Sequence, residues 1–536
     1  MATTPVNLNA LDPWLDLYEN VEESKFLRNG FINGFSIEYV GSRTPRFSKN
    51  HKSAFDYPEI VQAKLDKEVR LGRVAGPFKD SPYEDKLIVS PIGLVQKKSS
   101  DDYRLIFDLS FPEDHSINDG IPKEFCSVNY TQLDEAIDMV LEMGPGSYLS
   151  KIDIQSAFRL IPLNKNDFPL LGMFHNNCYY IDKCLPFGCS ISCAIFEKFS
   201  TFLEFCLKQY SLSNRWIHYL DDFLSGDPVF QQARKNLQAA LDLFERFGVP
   251  ISIEKLEGPT QSIVFLGIEI DTKKMQVRLP KEKQENLLIE IEYFIAQYQK
   301  KVNLRQLQSL IGKLSFACRA ILPGRAFLRR IIDTTIGLNH PRHHKRVSFD
   351  MLQDLLVWKL FLHHHNGTSM ILSSEWLNNE SLEFFTDASG AIGFGIYFQK
   401  NWIAQTWPCD MIVSRRNITF LELYPIALAI FIWGSNLANK RIIFHCDNLA
   451  VVNILSKQTS KDKDCMILVR YLVLTCLKFN ILLKASHLFS SDNYIADCLS
   501  RQKLNQFRKC CPDANQHMTP IPDVMWNLLV QKSVSL

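Results

Sequence analysis

The 536-residue sequence has no Cys-x-x-Cys pair, and its 14 cysteines fall at no zinc-ligand spacing. The tightest groupings are Cys184, Cys189 and Cys193, and the adjacent Cys510 and Cys511. A zinc-ribbon scaffold needs such pairs and is excluded, and reduced thiols in an intracellular compartment, cytoplasm or nucleus, are expected. Also missing is an uninterrupted apolar run of the roughly 18 residues that a bilayer span requires. The first thirty residues carry Glu19, Glu22 and Glu23 and lack the apolar core of a signal peptide. A soluble chain, neither secreted nor membrane-bound, is therefore expected. Net charge is nearly absent, at +2, yet residues 301–346 hold ten Lys or Arg and the single acid Asp333. A basic face on a near-neutral protein suits a polyanionic partner.

Apolar residues are plentiful, at 46% of the chain, which excludes a disordered or fibrous protein. The length predicts two to four domains. Residues 1–60 mix aromatics with Gly and Pro in no sustained period and predict an irregular lead-in with short helices. Over 61–278, strand-like stretches (LIVSPIGLVQKK, YRLIFDLS, SYLSKIDI) alternate with helical ones (TQLDEAIDMVLEM, ISCAIFEKFSTFLEFCLKQY), so sheet and helix interleave. Residues 279–345 read as a small helical domain, with Pro323-Gly324 ending its second helix. Residues 346–380 read as a connection, and His343, His344 and His363 to His365 as exposed linker histidines without metal-ligand spacing. Over 381–505, three consecutive strands precede alternating helices and strands, the pattern of a compact α/β unit. The tail, 506–536, looks irregular.

Two sets of carboxylates stand out. In Tyr219-Leu220-Asp221-Asp222 a pair of acids sits between apolar stretches, where a strand, a tight turn and a second strand would place it. Adjacent acids repel, and a divalent cation with oxygen ligands, Mg²⁺ or Mn²⁺, relieves that repulsion. Asp153, ending the strand-like SYLSKIDI, offers a third carboxylate, enough for two ions of the kind polymerases use. The second set is Asp387 and Asp447 at strand ends, Glu422 in a helix and Asp497 in the last helix of the later unit. Glu422 lies within FLELYPIALAIFIW, where an unpaired carboxylate is costly to bury, so it needs a partner. The string Asp387-Ala388-Ser389-Gly390 is not an aspartic protease motif, which places Ser or Thr directly after the Asp.

In order, KIDIQSAFRLIPL resembles motif A of reverse transcriptases, LPFG at Leu185 to Gly188 motif B, and YLDD motif C. Glu254-Lys255 resembles motif D, FLGIEI the primer-grip hairpin, and VQKK with YRLIFDLS the strands that grip the incoming triphosphate. From FTDAS through ELYPIALAI and HCDN to HLFSSDNYIADCLSR, the later unit resembles a ribonuclease H domain. The resemblance implies an α+β multidomain chain: a right-hand polymerase of fingers and palm (61–278) and thumb (279–345), then an α/β ribonuclease H-like domain. It implies Asp153, Asp221 and Asp222 as metal ligands, Lys255 as a proton donor to pyrophosphate, and Arg104 with Lys97 or Lys98 on the triphosphate. Phe158 falls where the family keeps its steric gate against a 2′-hydroxyl, and Phe187, Gly188 and Tyr219 fall at substrate-facing motif positions. In the second centre it implies Asp387, Glu422, Asp447 and Asp497 as ligands of a further two ions, with His487 assisting proton transfer. Asp492 and Asn493 read as the cap of the final helix. Cys189 departs from the larger or apolar residue usual after that motif glycine.

The partners implied are an RNA template, a DNA primer, their hybrid and deoxynucleoside triphosphates, with the basic helices 301–336 on phosphates. LELYPIALAIFIWG, FHCDNLAVVNIL and DNYIADCLSRQ are similar to DIRS-type retrotransposons, which implies nucleocapsid-like and tyrosine-recombinase partners and a separate reading frame. Two alternatives stay open: a catalytically silent nucleic-acid-binding copy, and a chain with nuclease activity alone.

Overall fold

In the computed structural model the described residues are 2–83, 86–96, 102–364, 368–369, 375–408, 416–488 and 493–530, and they form two compact units, 1–266 and 267–536. Lys97, Lys98, His365 and Asp492 lie outside the described residues.

The first unit begins with helices α1 (Leu8–Leu17) and α2 (Val21–Asn33), started by the side chains of Asn7 and Asn20. The sequence predicts an irregular lead-in with short helices; the helices are there, but Leu11, Leu15, Leu27, Phe31 and Phe35 are buried in the main core of the unit. At about 2 kcal/mol for each large apolar side chain removed from water, these helices are integral to the fold. Strands β1 (Ile92–Gln96) and β2 (Tyr103–Phe107) form a separate hairpin. The central sheet has the order β6–β3–β5–β4, built from β3 (Tyr148–Asp153), β4 (Trp216–Tyr219), β5 (Asp222–Asp227) and β6 (Glu257–Thr260). Helices α3 (Ser192–Ser211) and α4 (Phe230–Arg246) follow the apolar spacing of their sequences and bury Phe196, Phe199, Phe202 and Phe244. Phe223, inward-facing on β5, meets Phe244 edge-on with centroids 5.5 Å apart.

The second unit opens with α5 (Lys281–Ala296), α6 (Leu304–Ala317) and α7 (Phe349–His364). Strands β7 (Lys301–Asn303) and β8 (His344–Arg346) pair antiparallel beside α6. The stretch read as a connection thus contains the 16-residue α7, which buries Met351, Leu355, Trp358, Phe361 and Leu362. An α/β layer follows, with antiparallel β9 (Phe384–Ala388), β10 (Gly393–Phe398) and β11 (Asn401–Thr406). Then come α8 (Ile418–Trp433), β12 (Arg441–Cys446), α9 (Leu449–Lys457), α10 (Lys463–Phe479), β13 (Leu482–His487) and α11 (Tyr494–Ser500). β12 and β13 are parallel, with Cys446 level with His487.

The segment Ile418–Leu437 has the length and hydropathy of a membrane span, contrary to the sequence reading, but 72% of its most apolar window is buried in the fold. It is the core helix of this layer. Arg470 of α10 makes two 3.1 Å hydrogen bonds to Asp354 of α7, both side chains being almost fully buried. That ion pair ties the helical segment to the α/β layer.

The tail corrects another expectation. It forms α12 (Leu504–Cys510) and α13 (Asp523–Val530). Phe507 is fully buried beside Tyr397 and Trp402, at 6.0 and 5.5 Å between centroids. Arg508 donates to the carbonyls of Ala514, Asn515 and Gln516 at 2.7 to 3.0 Å, fixing the chain after α12.

Candidate active sites

In the first unit the antiparallel register sets Asp222 directly opposite Asp153, and Tyr219 opposite Asp222 across the β4–β5 hairpin. Leu220 turns the chain with φ +52°, a left-handed conformation that a branched side chain adopts at a cost of about 1 kcal/mol. Asp221 follows, and its carbonyl accepts the Ile154 N–H at 2.9 Å, locking the turn to the end of β3. Lys255, in the short turn Ile253–Lys255, donates from Nζ to Asp153 Oδ2 at 2.8 Å. Its pKa is raised, chiefly by that hydrogen bond.

Asp222 is pushed up to about 6 by burial and by the charges of Asp221 and Asp153. Asp221 is raised by burial and by Asp153, its own backbone opposing the shift. Three carboxylates facing Lys255, with the nearby Lys151 already paired to Glu257 at 2.8 Å, leave unbalanced negative charge on hard oxygen donors, which fits Mg²⁺ or Mn²⁺.

Among the other positions the resemblance implies, half-buried Phe158 packs against Phe187 and Phe196 with centroids 5.0 and 5.5 Å apart. Gly188 has φ +102°, and a Cβ there would lie 2.6 Å from the Phe107 carbonyl oxygen, so the motif glycine is sterically required. Tyr219 lies beside Tyr130 at 5.0 Å. Arg104 is exposed on β2, level with Val95.

Sequence reasoning missed two supports. The Asn118 side chain donates to the Gly188 carbonyl and accepts from the Ser190 N–H, both at 2.8 Å, pinning the Leu185 to Gly188 loop. His218, next to the YLDD turn, is buried with Nδ1 2.5 Å from Glu204 and Nε2 3.4 Å from Glu197, both on α3. Burial pulls its pKa down, but the two glutamates raise it to about 9. A short polar side chain in a loop and a histidine in a strand give no sequence signal of either role.

In the second unit, Asp387 lies near the end of β9 and accepts a short hydrogen bond from the Ser500 hydroxyl. Its pKa is raised by burial, Ser500 opposing, and further by Asp447 and Asp497. Glu422, on the second turn of α8, is 8% exposed. Burial and the charges of Asp387 and Asp447 push it up to about 9, with only a backbone hydrogen bond from Ala388 opposing. Donor atoms of Glu422, Cys446 and Asp447 all lie within 4.8 Å of one another. Asp497 on α11 is not one of these three donors; it acts by charge on Asp387 and is salt-bridged to Arg501 at 2.5 Å and Lys503 at 3.8 Å. His487 ends β13, exposed.

Asn493 holds the N-cap position of α11, yet its side chain makes no cap bond there. It donates instead to the Thr386 carbonyl at 2.8 Å, fastening α11 to the strand that carries Asp387. Ser500 and Cys446 were not singled out from sequence, and Asn493 was read there as a helix cap alone, because only the fold brings them to the acids. Glu422 facing two aspartates, with no cation acting on it among the described residues, is a charge set that fits divalent metal.

Residues 95–270 match the family described as reverse transcriptase (RNA-dependent DNA polymerase), the span that contains β3, the Asp221-Asp222 turn and Lys255. The chain is 22% identical over 263 residues to the retrovirus-related Pol polyprotein from transposon opus of Drosophila melanogaster, covering 46% of this chain and 24% of that protein. It is 24% identical over 249 residues to the corresponding polyprotein from transposon 412 of the same organism, covering 46% and 18%. The chain thus spans a quarter or less of the length of these curated relatives. Among solved structures it is similar to the foamy viral protease-reverse transcriptase in complex with RNA/DNA hybrid, with TM-score 0.52 at 15% identity, covering 89% of this chain and 62% of that one. The fold class is an α+β polymerase architecture followed by a ribonuclease H-like domain. Within it, residues 95–270 match the reverse transcriptase family model, and the curated proteins the chain is similar to include two retrotransposon Pol polyproteins.

Proposed function

We propose that the protein is an RNA-directed DNA polymerase with ribonuclease H activity, copying retroelement RNA and degrading the RNA strand of the resulting hybrid. The observation that carries the reading is the register of Asp222 opposite Asp153 with Asp221 in the turn between β4 and β5. Asp153, Asp221 and Asp222 would hold one pair of Mg²⁺ or Mn²⁺ ions, and Asp387, Glu422, Asp447 and Asp497 another. Such ions neutralise charge developing at the attacking and leaving oxygens of a phosphodiester displacement.

The side chains supply the rest. Lys255 keeps a proton on Nζ beside Asp153 and is placed to hand it to the departing pyrophosphate. Phe158, braced by Phe187 and Phe196, fills space that a 2′-hydroxyl would need, so deoxynucleotides are selected. Arg104, with Lys97 or Lys98, engages the triphosphate through charge-assisted hydrogen bonds. At the second centre His487, level with Cys446 across the β12–β13 ladder, is the residue that would assist proton transfer.

The hybrid is held by charge. Lys301 stands directly opposite Arg346 on the β7–β8 ladder, and Arg305, Arg342 and Lys345 are exposed nearby. Like charges placed opposite destabilise a ladder by a few tenths of a kcal/mol or more, and a phosphate backbone reverses that penalty. Sequence phrasing places the element nearest the DIRS type, with nucleocapsid-like and recombinase partners in an intracellular cycle. Primer extension on an RNA template tests the polymerase reading: the wild type incorporates deoxynucleotides and Asp222→Asn does not, whereas equal incorporation by both would reject it.

A further inference from the structure

Cys446 is the one donor at the nuclease centre for which magnesium chemistry has no use. It ends β12, is 5% exposed, and its Sγ accepts the Asn448 N–H at 3.4 Å. Mg²⁺ and Mn²⁺ take oxygen ligands, while thiolate sulfur favours Zn²⁺ and its soft relatives. Yet the Cys446 Sγ and carboxylate oxygens of Glu422 and Asp447 lie within 4.8 Å of one another. In a tetrahedral zinc site with bonds of about 2.3 Å to sulfur and 2.0 Å to oxygen, donors stand roughly 3.5 Å apart. Closing from the observed separation takes about 1 Å of side-chain torsion, well within the reach of the Glu422 stem. Glu422 is more than nine-tenths buried, and its carboxylate, which accepts a backbone hydrogen bond from Ala388, keeps further acceptor capacity turned toward the Cys446 thiol and Asp447.

We propose that Glu422, Cys446 and Asp447 form a site for a thiophilic divalent cation, Zn²⁺ foremost, whose binding withdraws two carboxylates from the nuclease centre and silences it. Binding replaces the S–H bond with a sulfur–metal bond and releases that proton to solvent. The inhibitory consequence rests on the nuclease reading above; the cation site itself does not. Silencing is confined to the second centre, since Asp153, Asp221 and Asp222 have no comparable thiol among the metal-ligating groups found in the described residues. RNA removal would thereby be switched by zinc while DNA synthesis continues.

The test uses the full chain with Co²⁺ as a spectroscopic probe, read by its near-ultraviolet thiolate charge-transfer band. One equivalent of band, displaced by Zn²⁺ and lost in both Cys446→Ser and Cys446→Ala, is expected. In hybrid cleavage with Mg²⁺ present, and with each protein normalised to its own zinc-free rate, the Zn²⁺ concentration giving half inhibition should rise at least tenfold in both variants. No band in the wild type, a band unchanged in the variants, or equal zinc sensitivity overturns the proposal. If the wild type cleaves no hybrid with Mg²⁺ alone, the nuclease reading fails, and the Co²⁺ band still decides the cation site.

Discussion

Replacing Glu422 with Gln should stabilise the metal-free protein and remove the stabilisation that Mg²⁺ gives. Burial and two facing aspartates raise the Glu422 carboxyl from its ordinary 4.5 to about 9. A carboxyl whose folded-state pKa lies above its unfolded value contributes most to stability below about 4.5, and that contribution is lost as pH rises toward 9. At pH 7 the folded protein keeps a proton that the unfolded chain has released, at a cost of about 3 kcal/mol. Gln keeps the size of the side chain without that charge. For a cooperative unit of this size about 2 to 4 °C accompanies each kcal/mol, so the metal-free variant should melt about 6 to 12 °C higher at pH 7. The gain should vanish near pH 4, where Glu422 is protonated in both states. With Mg²⁺ at saturating concentration the order reverses, because the wild type gains binding free energy that the variant lacks. Differential scanning calorimetry across pH 4 to 9, with EDTA and with Mg²⁺, measures all of this. A metal-free variant that melts at or below the wild-type temperature at pH 7 would refute the reasoning.

The His218 imidazole, held near 9 against an ordinary 6.5, should contribute stability that is full below about pH 6.5 and disappears as pH rises through 9. Urea titrations of His218→Gln should therefore show a flatter pH dependence in that window, and an unchanged profile would dismiss the pair of glutamates as its cause. Arg470→Ala leaves Asp354 in the core with the longer Arg330 ion pair at 3.6 Å as its remaining cation and should cost about 3 kcal/mol, while Arg470→Met with Asp354→Leu recovers part of it; a double variant as unstable as the single would contradict the buried-charge argument. Phe158→Ala should raise ribonucleotide incorporation by about tenfold or more in single-nucleotide extension, and unchanged sugar selectivity would remove the gate.

Both acidic sets were legible because chemistry and position coincide in the sequence: Asp153 and Asp222 at strand ends meet once β3 and β5 pair, and alternation alone sets which face they share. Glu422 was legible for the opposite reason, as a charge stranded in an apolar helix. Cys446, Ser500 and Asn118 were not, nor was the bond from Asn493 to Thr386, since each acts on a residue 24 to 113 positions away that folding alone makes its neighbour. The lead-in and tail were misjudged because their amphipathic pieces are short and their partners distant. Phe507 reads as an isolated aromatic until Tyr397 and Trp402 close over it. The buried Arg470–Asp354 pair was equally invisible, two ordinary charges 116 residues apart.

Two separate centres on one chain make a crossed experiment the most direct test. A single substrate, a DNA primer on a labelled RNA template with deoxynucleotides and Mg²⁺, reports extension and RNA cleavage in the same reaction. Asp222→Asn should abolish extension and leave cleavage of a preformed hybrid within a few-fold of wild type, and Asp447→Asn should do the reverse. Loss of both activities in either variant, or of neither, would contradict the assignment of one reaction to each set of acids.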